Sequence, residues 1–182
     1  MNSNFWEANY IRDNTPEIFV DVGAKTGYVG QHASYAGSFT HFFEPDERYS
    51  QMIQSILDDP DVNGKHSDMA VSNFNGETTL CKTEKGLRMF GSEETQSVKC
   101  KSLDCMFDTD IFDGVSIAVR INVGGQEFHV LEGMYSMMDI TDYIIIHMHP
   151  SMSGFIDDCR DILTSEGYSV SDSHGDIFVY SI

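Results

Sequence analysis

Basic residues are scarce in this sequence of 182 residues. Eleven lysines and arginines stand against 29 aspartates and glutamates, which gives a formal net charge of −18. Such a charge disfavours nucleic acid as a partner, because phosphates reward a basic surface and repel an acidic one. It predicts a small-molecule or glycan ligand instead. It also indicates adaptation to a high-salt environment, in which salt screens the repulsion among the carboxylates.

Long apolar runs and closely spaced cysteines are missing as well. The longest apolar run, Tyr143 to Ile146, is far too short to cross a bilayer, and no basic region followed by an apolar core opens the chain. The four cysteines lack CxxC spacing and predict reduced, packed thiols. We therefore expect a soluble, cytoplasmic protein that binds no membrane. Nothing in the sequence indicates its oligomeric state.

The most informative stretch is residues 18–30, IFVDVGAKTGYVG, which predicts a buried strand, a glycine turn and the start of a helix. Gly23 and Gly27 allow the backbone to approach a ligand closely, and the helix N-terminus directs unpaired N–H groups toward it. Asp21 would repel a pyrophosphate but accept hydrogen bonds from an amino group. The pattern therefore favours S-adenosylmethionine. A dinucleotide-dependent oxidoreductase would need GxGxxG, which GAKTG lacks.

A second acid supports a nucleoside-containing cofactor. Glu44 follows the next predicted strand and lies 21 residues after Gly23. Nucleotide-binding α/β units place at this position the carboxylate that accepts hydrogen bonds from ribose hydroxyls. The glycine turn and the spaced acid together are a stronger signal than either alone.

Strands and helices alternate along the rest of the chain, which predicts an α/β fold with a mainly parallel sheet. Residues 1–17 are interpreted as an N-terminal lead-in with an aromatic anchor, and residues 18–182 as one domain closed by an antiparallel hairpin. Strands are predicted over 18–22, 38–43, 66–71, 78–81, 98–104, 115–122 and 143–150, with the hairpin over 168–181; helices over 27–35, 47–57, 126–138 and 154–166; and a loop over 82–97.

From residue 17 to 182 the chain resembles the FkbM family of S-adenosylmethionine-dependent methyltransferases. FVDVGAKTGYVG is similar to the family's FVDVGANIGYY, FFEPDERY to its FEP motif, and MAVSNFNGETTL to its AVS segment. KSLD is similar to TLD, VRINVGGQEFHVLEGM to LKIDVEGAELEVLRGA, YIIIHMHP to the closing strand and ILTSEGYSV to the LxxxGY segment. The order and spacing of these motifs carry the resemblance.

The resemblance implies a class I, Rossmann-like three-layer sandwich with a seven-stranded, mainly parallel sheet and a C-terminal antiparallel hairpin. It implies O-methylation of a small-molecule or sugar hydroxyl, with S-adenosyl-L-methionine as cofactor. Carried over by position, the cofactor-binding residues are Asp21, Gly23, Ala24, Lys25, Gly27, Glu44, Pro45, Asp68, Met69 and Ala70.

Asn122, His147 and His149 are the candidate catalytic residues. Asn122 ends a core strand near the expected methyl group, and the two histidines share a strand face, with His149 as the base. No metal site is predicted, because two histidines without a third ligand make a weak site.

The chain departs from the family at four positions. Asn122 and Gly124 replace an Asp and a Glu, His147 replaces a Glu, and Lys25 replaces an Asn. Since three acids are absent from the presumed acceptor side, the alternative is a catalytically inert, methyltransferase-like binding module that retains the cofactor pocket.

Overall fold

The computed structural model describes residues 3–84, 86–88, 94–112, 114–148 and 153–182. Its elements, with a short 3₁₀ helix at Thr109–Phe112, are α1 (Ser3–Asp13), β1 (Ile18–Val22), α2 (Tyr28–Tyr35), β2 (Phe39–Phe43), α3 (Glu47–Leu57), β3 (Gly64–Ser67), β4 (Ala70–Val71), β5 (Gly76–Thr83), β6 (Gly86–Arg88), β7 (Thr95–Lys101), β8 (Ile117–Ile121), α4 (Glu127–Glu132), α5 (Tyr135–Met138), β9 (Tyr143–His147), α6 (Ser153–Ser165), β10 (Ser169–His174) and β11 (Ile177–Ser181).

The main sheet has seven strands in the order β3-β2-β1-β8-β9-β11-β10. The first five are parallel neighbours, whereas β11 runs antiparallel to both β9 and β10. The predicted α/β fold, with its seven-stranded sheet and antiparallel C-terminal hairpin, is confirmed. Within the described residues, no helix is long and apolar enough to cross a membrane.

The register of the central strands brings the predicted motifs to one edge of the sheet. Val22 of β1 lies beside Phe43 of β2 and Ile121 of β8. The residues that follow these three strands therefore meet at the carboxyl edge, which is where open α/β sheets bind ligands. Strands β8 and β9 are buried along their full length, as their continuous apolar runs predict.

A second sheet, which the sequence analysis does not predict, packs over this edge. It has four strands in the order β4-β7-β5-β6. The predicted strand over 66–71 divides between the two sheets, with β3 in the main sheet and β4 in the second. The predicted loop over 82–97 is wrong where it can be compared, because β5 continues to Thr83, β6 pairs with it and β7 begins at Thr95. Residues 85 and 89–93 of that prediction lie outside the described residues.

Two further helical regions differ from the prediction. The helix expected over 126–138 is broken into α4 and α5 at Gly133, where a Cβ would lie 2.2 Å from the backbone oxygen of Ser72. Residues 3–13 form the helix α1, which buries Glu7, Ala8 and Ile11 against the sheet. Because residues 3–13 are mostly polar, their composition does not indicate that Glu7 is buried.

Candidate functional site

A cavity of about 320 Å³ lies between the carboxyl edge of the main sheet and the second sheet. Its volume is within the range of small-molecule sites. Seven of the predicted site residues line it: Gly23, Lys25, Glu44, Pro45, Met69, Ala70 and Asn122. The structure thus brings together motifs that are up to about a hundred residues apart in the sequence.

Glu44 is the anchor of this cavity. It is 5% exposed, its Oε2 accepts a hydrogen bond from the backbone N–H of Lys25 at 2.8 Å, and its Oε1 accepts one from Asp46 at 2.9 Å. Burial raises the pKa of Glu44 to about 7, although the two backbone N–H groups favour the ionised form. Each carboxylate oxygen keeps a second lone pair, so the side chain can still accept hydrogen bonds from a ligand's hydroxyls.

The turn after β1 has an unusual backbone. Gly23 has a φ of 76°, and a Cβ at this position would lie 2.3 Å from the backbone oxygen of Asn122. Glycine is therefore required for the turn after β1 to pack against the end of β8. Lys25 has a φ of 52°, a left-handed conformation that side chains other than Asn and Asp rarely adopt.

The side chain of Lys25 reaches the end of β8. Its Nζ donates a hydrogen bond to Oδ1 of Asn122 at 3.1 Å. Burial lowers the pKa of Lys25, and the positive charges of Arg120 and Arg88 lower it further. Two of the four positions at which the chain departs from the FkbM motifs, Lys25 and Asn122, are thus in contact with each other.

The loop after Asn122 is fixed by Glu127 at the start of α4. The carboxylate of Glu127 accepts hydrogen bonds from the backbone N–H groups of Val123 at 3.2 Å and Gly125 at 2.9 Å. This buried side chain therefore holds the floor of the cavity in place.

One wall of the cavity is apolar. Phe43 contributes from the main sheet, Met69 from the turn before β4, and Val71 and Leu80 from the second sheet. Such a wall is suited to a flat, weakly polar ring, and it adjoins Glu44. The cavity therefore combines an apolar surface with a hydrogen-bond acceptor.

A buried ion cluster occupies the other side of Asn122. Nε of Arg120 lies 2.6 Å from Oε1 of Glu7, and Nη1 of Arg120 lies 2.8 Å from Oδ1 of Asp21. His147 Nε2 donates a hydrogen bond to the same Glu7 oxygen at 2.8 Å. Glu7 and Asp21 are fully buried, whereas Arg120 is 3% exposed and His147 is 6% exposed.

The charges of the cluster stabilise one another. Burial opposes the ionisation of Glu7, but Arg120 and His147 outweigh it and lower the pKa of Glu7 to about 2. Burial raises the pKa of Asp21 against the opposing effect of Arg120. Burial also lowers the pKa of His147, despite its hydrogen bond to Glu7.

The cluster contains two of the predicted site residues. Asp21 lines neither the 320 Å³ cavity nor a second cavity of about 260 Å³ near α1, whereas His147 lines the second. The predicted cofactor contact of Asp21 stays a prediction, and the structure gives its carboxylate Arg120 as a partner. The predicted catalytic role of His147 stays a prediction in the same way.

The remaining predicted residues are dispersed. Ala24 lines the second cavity, and Gly27 packs beneath α3, where a Cβ would lie 2.8 Å from Cδ1 of Ile56. Asp68 is exposed between β3 and β4 and lines neither cavity. His149 lies outside the described residues, so its role as the base stays a prediction.

Two basic residues that line the 320 Å³ cavity, His129 and Arg88, are not among the predicted site residues. His129 is the one histidine among the described residues that lines it, and its Nδ1 is buried without a hydrogen-bond partner in that part of the chain. His129 lies three residues after Gln126, which also lines the cavity, and residues three apart share one face of a helix. This spacing was the signal by which the sequence could have identified His129. Arg88 lines the cavity from β6 and carried no signal, because it falls in the predicted loop.

Metal-binding geometry is not found in the described ranges. No group of three or more His, Cys, Asp or Glu side chains within them is arranged to hold a metal ion.

The fold is that of the class I methyltransferases. The structure is similar to the methyltransferase FkbM from Methylobacillus flagellatus KT, with a TM-score of 0.67 and 16% identity over 92% of this chain and 44% of that one. The chain thus spans less than half the length of that protein. The predicted resemblance to FkbM methyltransferases is confirmed at the level of the fold.

Two further solved structures share this fold. A putative RNA methyltransferase from Pyrococcus horikoshii has a TM-score of 0.56 and 14% identity, over 99% of this chain and 83% of that one. The magnesium protoporphyrin IX methyltransferase from Synechocystis PCC 6803, whose structure has bound S-adenosylmethionine, has a TM-score of 0.55 and 11% identity, over 98% and 76%. No protein-family model matches the sequence, and no curated protein is similar to it.

Proposed function

We propose that the protein is an S-adenosylmethionine-dependent methyltransferase that methylates a hydroxyl group of a small molecule or sugar. The observation that carries the proposal is the position of Glu44, buried at the end of β2 and lining a cavity that the turn after β1 also lines. In an α/β nucleotide-binding unit this carboxylate accepts hydrogen bonds from ribose hydroxyls. The class I methyltransferase fold supports the same cofactor, since the magnesium protoporphyrin IX methyltransferase that shares it has bound S-adenosylmethionine.

The residues of the cavity fit this cofactor. Glu44 retains acceptor capacity for a ribose, and Met69, Val71 and Leu80 provide an apolar surface for an adenine ring. The turn at Gly23 and Lys25 adjoins the end of β8, where a methionine moiety would extend. When bound, S-adenosylmethionine supplies an electrophilic methyl group on a sulfonium.

The protein's own contribution to such a displacement is alignment and the exclusion of water. Asn122 and Lys25 hold each other at the end of β8, and Glu127 fixes the following loop. A base would assist an acceptor hydroxyl. His129 is a candidate for this role because it lines the cavity, and His149 stays the candidate that the sequence predicts.

Calorimetry with S-adenosylhomocysteine tests the cofactor half of this proposal. We expect the wild type to bind, and Glu44→Ala to bind about 10- to 100-fold more weakly, since a hydrogen bond to a charged group contributes about 1.5–3 kcal/mol. Glu47→Ala is the matched control, because Glu47 is exposed one turn away at the start of α3. No binding by the wild type, or equal losses in both variants, would contradict the proposal.

One observation favours the inert binding module as a second candidate. The amide oxygen of Asn122 already accepts a hydrogen bond from Lys25, so the position of the family's acid is engaged within the protein. Turnover distinguishes the two functions. Formation of S-adenosylhomocysteine above background, with a panel of glycans and small alcohols, supports the enzyme, and cofactor binding without turnover supports the module.

A further inference from the structure

Arg88 lines the 320 Å³ cavity beside the loop that follows Asn122. It lies at the end of β6, and a Cβ built on Gly124 would lie 3.4 Å from its Cγ, 3.6 Å from its Nε and 3.7 Å from its Cζ. The guanidinium group therefore packs over the loop that follows Asn122. Because Gly124 has no side chain, nothing at that position covers or neutralises the charge.

Arg88 differs from the other arginines of the chain. Each of the other four forms an ion pair with a carboxylate: Arg12 with Asp13, Arg48 with Asp46, Arg120 with Glu7 and Asp21, and Arg160 with Asp157. The backbone of Arg88 pairs with Cys81 of β5, but its guanidinium group forms no hydrogen bond or ion pair with any residue in the ranges that the structure describes. This is notable in a chain with 29 acidic and 11 basic residues.

The charges that line the cavity give it an excess of positive charge. Lys25 and Arg88 are the lining cations, and Glu44 is the lining carboxylate among the described residues. Glu44 is already bonded to the backbone of Lys25 and Asp46, and the Lys25 ammonium group is bonded to Asn122. The guanidinium of Arg88 keeps its full set of donors, in the planar arrangement that suits carboxylate and phosphate oxygens.

We propose that Arg88 binds an anionic group, a carboxylate, phosphate or sulfate, on the methyl acceptor. The inference rests on the proposed function and specifies its substrate class: a hydroxylated acid and not a neutral alcohol or sugar. Gly124 leaves room for the Arg88 side chain and supplies no carboxylate to it, so the guanidinium group stays available to an anionic ligand.

An anionic group at Arg88 has two sources, the acceptor or the aminocarboxylate of the cofactor. Calorimetry of the wild type and Arg88→Gln with S-adenosylhomocysteine and with methylthioadenosine, which lacks that carboxylate, separates them. We expect Arg88→Gln to bind both nucleosides as the wild type does. A loss of affinity for S-adenosylhomocysteine alone would assign Arg88 to the cofactor and overturn the proposal.

Matched acceptors then test the substrate class on protein saturated with S-adenosylhomocysteine. The pairs are galacturonate with galactose, and 3,4-dihydroxybenzoate with 3,4-dihydroxybenzamide. We expect the wild type to bind the acid of at least one pair about tenfold more tightly than its neutral partner, and Arg88→Gln to lose that preference. Arg88→Lys keeps part of it, and Arg160→Gln, at an exposed ion pair, keeps all of it.

The outcomes distinguish a failure of the proposed function from a failure of the anionic acceptor alone. If the wild type does not bind S-adenosylhomocysteine, the proposed function fails and this inference fails with it. If it binds the nucleoside but shows equal affinity for acid and neutral partners, or binds neither, the anionic acceptor alone is overturned. Thermal melts of Arg88→Gln confirm that the variant is folded.

Discussion

The ion cluster at α1 and the 320 Å³ cavity lie on the two sides of Asn122. They differ in whether their charged side chains are paired within the protein. In the cluster, the charged groups of Glu7, Asp21 and Arg120 are buried and bonded to one another. In the cavity, Arg88 has no partner within the described residues, and Glu44 keeps lone pairs for a ligand.

This difference separates structural charge from functional charge. A buried charge must be paired, because its desolvation is costly, and a paired charge has little capacity left for a ligand. Asp21 and His147 have the residue types of a site, but Oδ1 of Asp21 and Nε2 of His147 are bonded within the protein, and Oδ2 of Asp21 is buried without a hydrogen-bond partner among the described residues. A charged or hydrogen-bonding group that lines a cavity and lacks a partner is a better indicator of ligand binding than residue type alone.

The substitution with the largest expected effect is Arg120→Met. Removing the arginine leaves Glu7 and Asp21 as buried carboxylates without their cation, which we expect to cost about 3–5 kcal/mol of unfolding free energy. The midpoint of thermal unfolding should fall by about 6–20 °C. Arg160→Met is the control, because its ion pair with Asp157 is exposed and contributes less than about 1 kcal/mol. Equal shifts in the two variants would show that the cluster is not structural.

A second test uses the pKa of Glu44, which burial raises to about 7. A ribose donates hydrogen bonds to the ionised carboxylate, so binding favours the deprotonated form. Affinity for S-adenosylhomocysteine should therefore rise about tenfold from pH 6 to pH 8 as Glu44 ionises. Calorimetry of Glu44→Gln, which does not titrate, should show a flat profile over this range. A flat profile in the wild type would indicate that Glu44 does not contact the ligand.

The smallest expected effect is that of salt on the surface charge. With a formal charge of −18, the wild type should melt about 2–4 °C higher in 1 M than in 0.05 M potassium chloride. The difference between the wild type and Arg120→Met should stay constant, because a buried cluster is poorly screened. An unchanged midpoint in the wild type would contradict the proposed salt adaptation, and a salt-dependent difference would contradict the burial of the cluster.

The parts of the fold that could be predicted were those with local signals. Alternating apolar runs and glycine turns placed β1, β2, β8 and β9 within a few residues, and the spacing from Gly23 to Glu44 identified two residues of the same cavity. Strands were predicted over 78–81 and 98–104, but their assembly into a second sheet was not, because β5 and β7 are polar and β4 and β6 are short. The break at Gly133 depends on the approach of Ser72, which no local pattern encodes.

The sequence by itself determined the order of strands and helices, the glycine turn and the spaced carboxylate, because each depends on residues close together in the chain. Only the tertiary structure decided which charged side chains are paired. Glu7 and Arg120 are 113 residues apart and neutralise each other, whereas Arg88, in a predicted loop, packs beside Gly124 at the cavity. Pairing is a matter of distance in space and of burial, and neither is encoded by residue type alone.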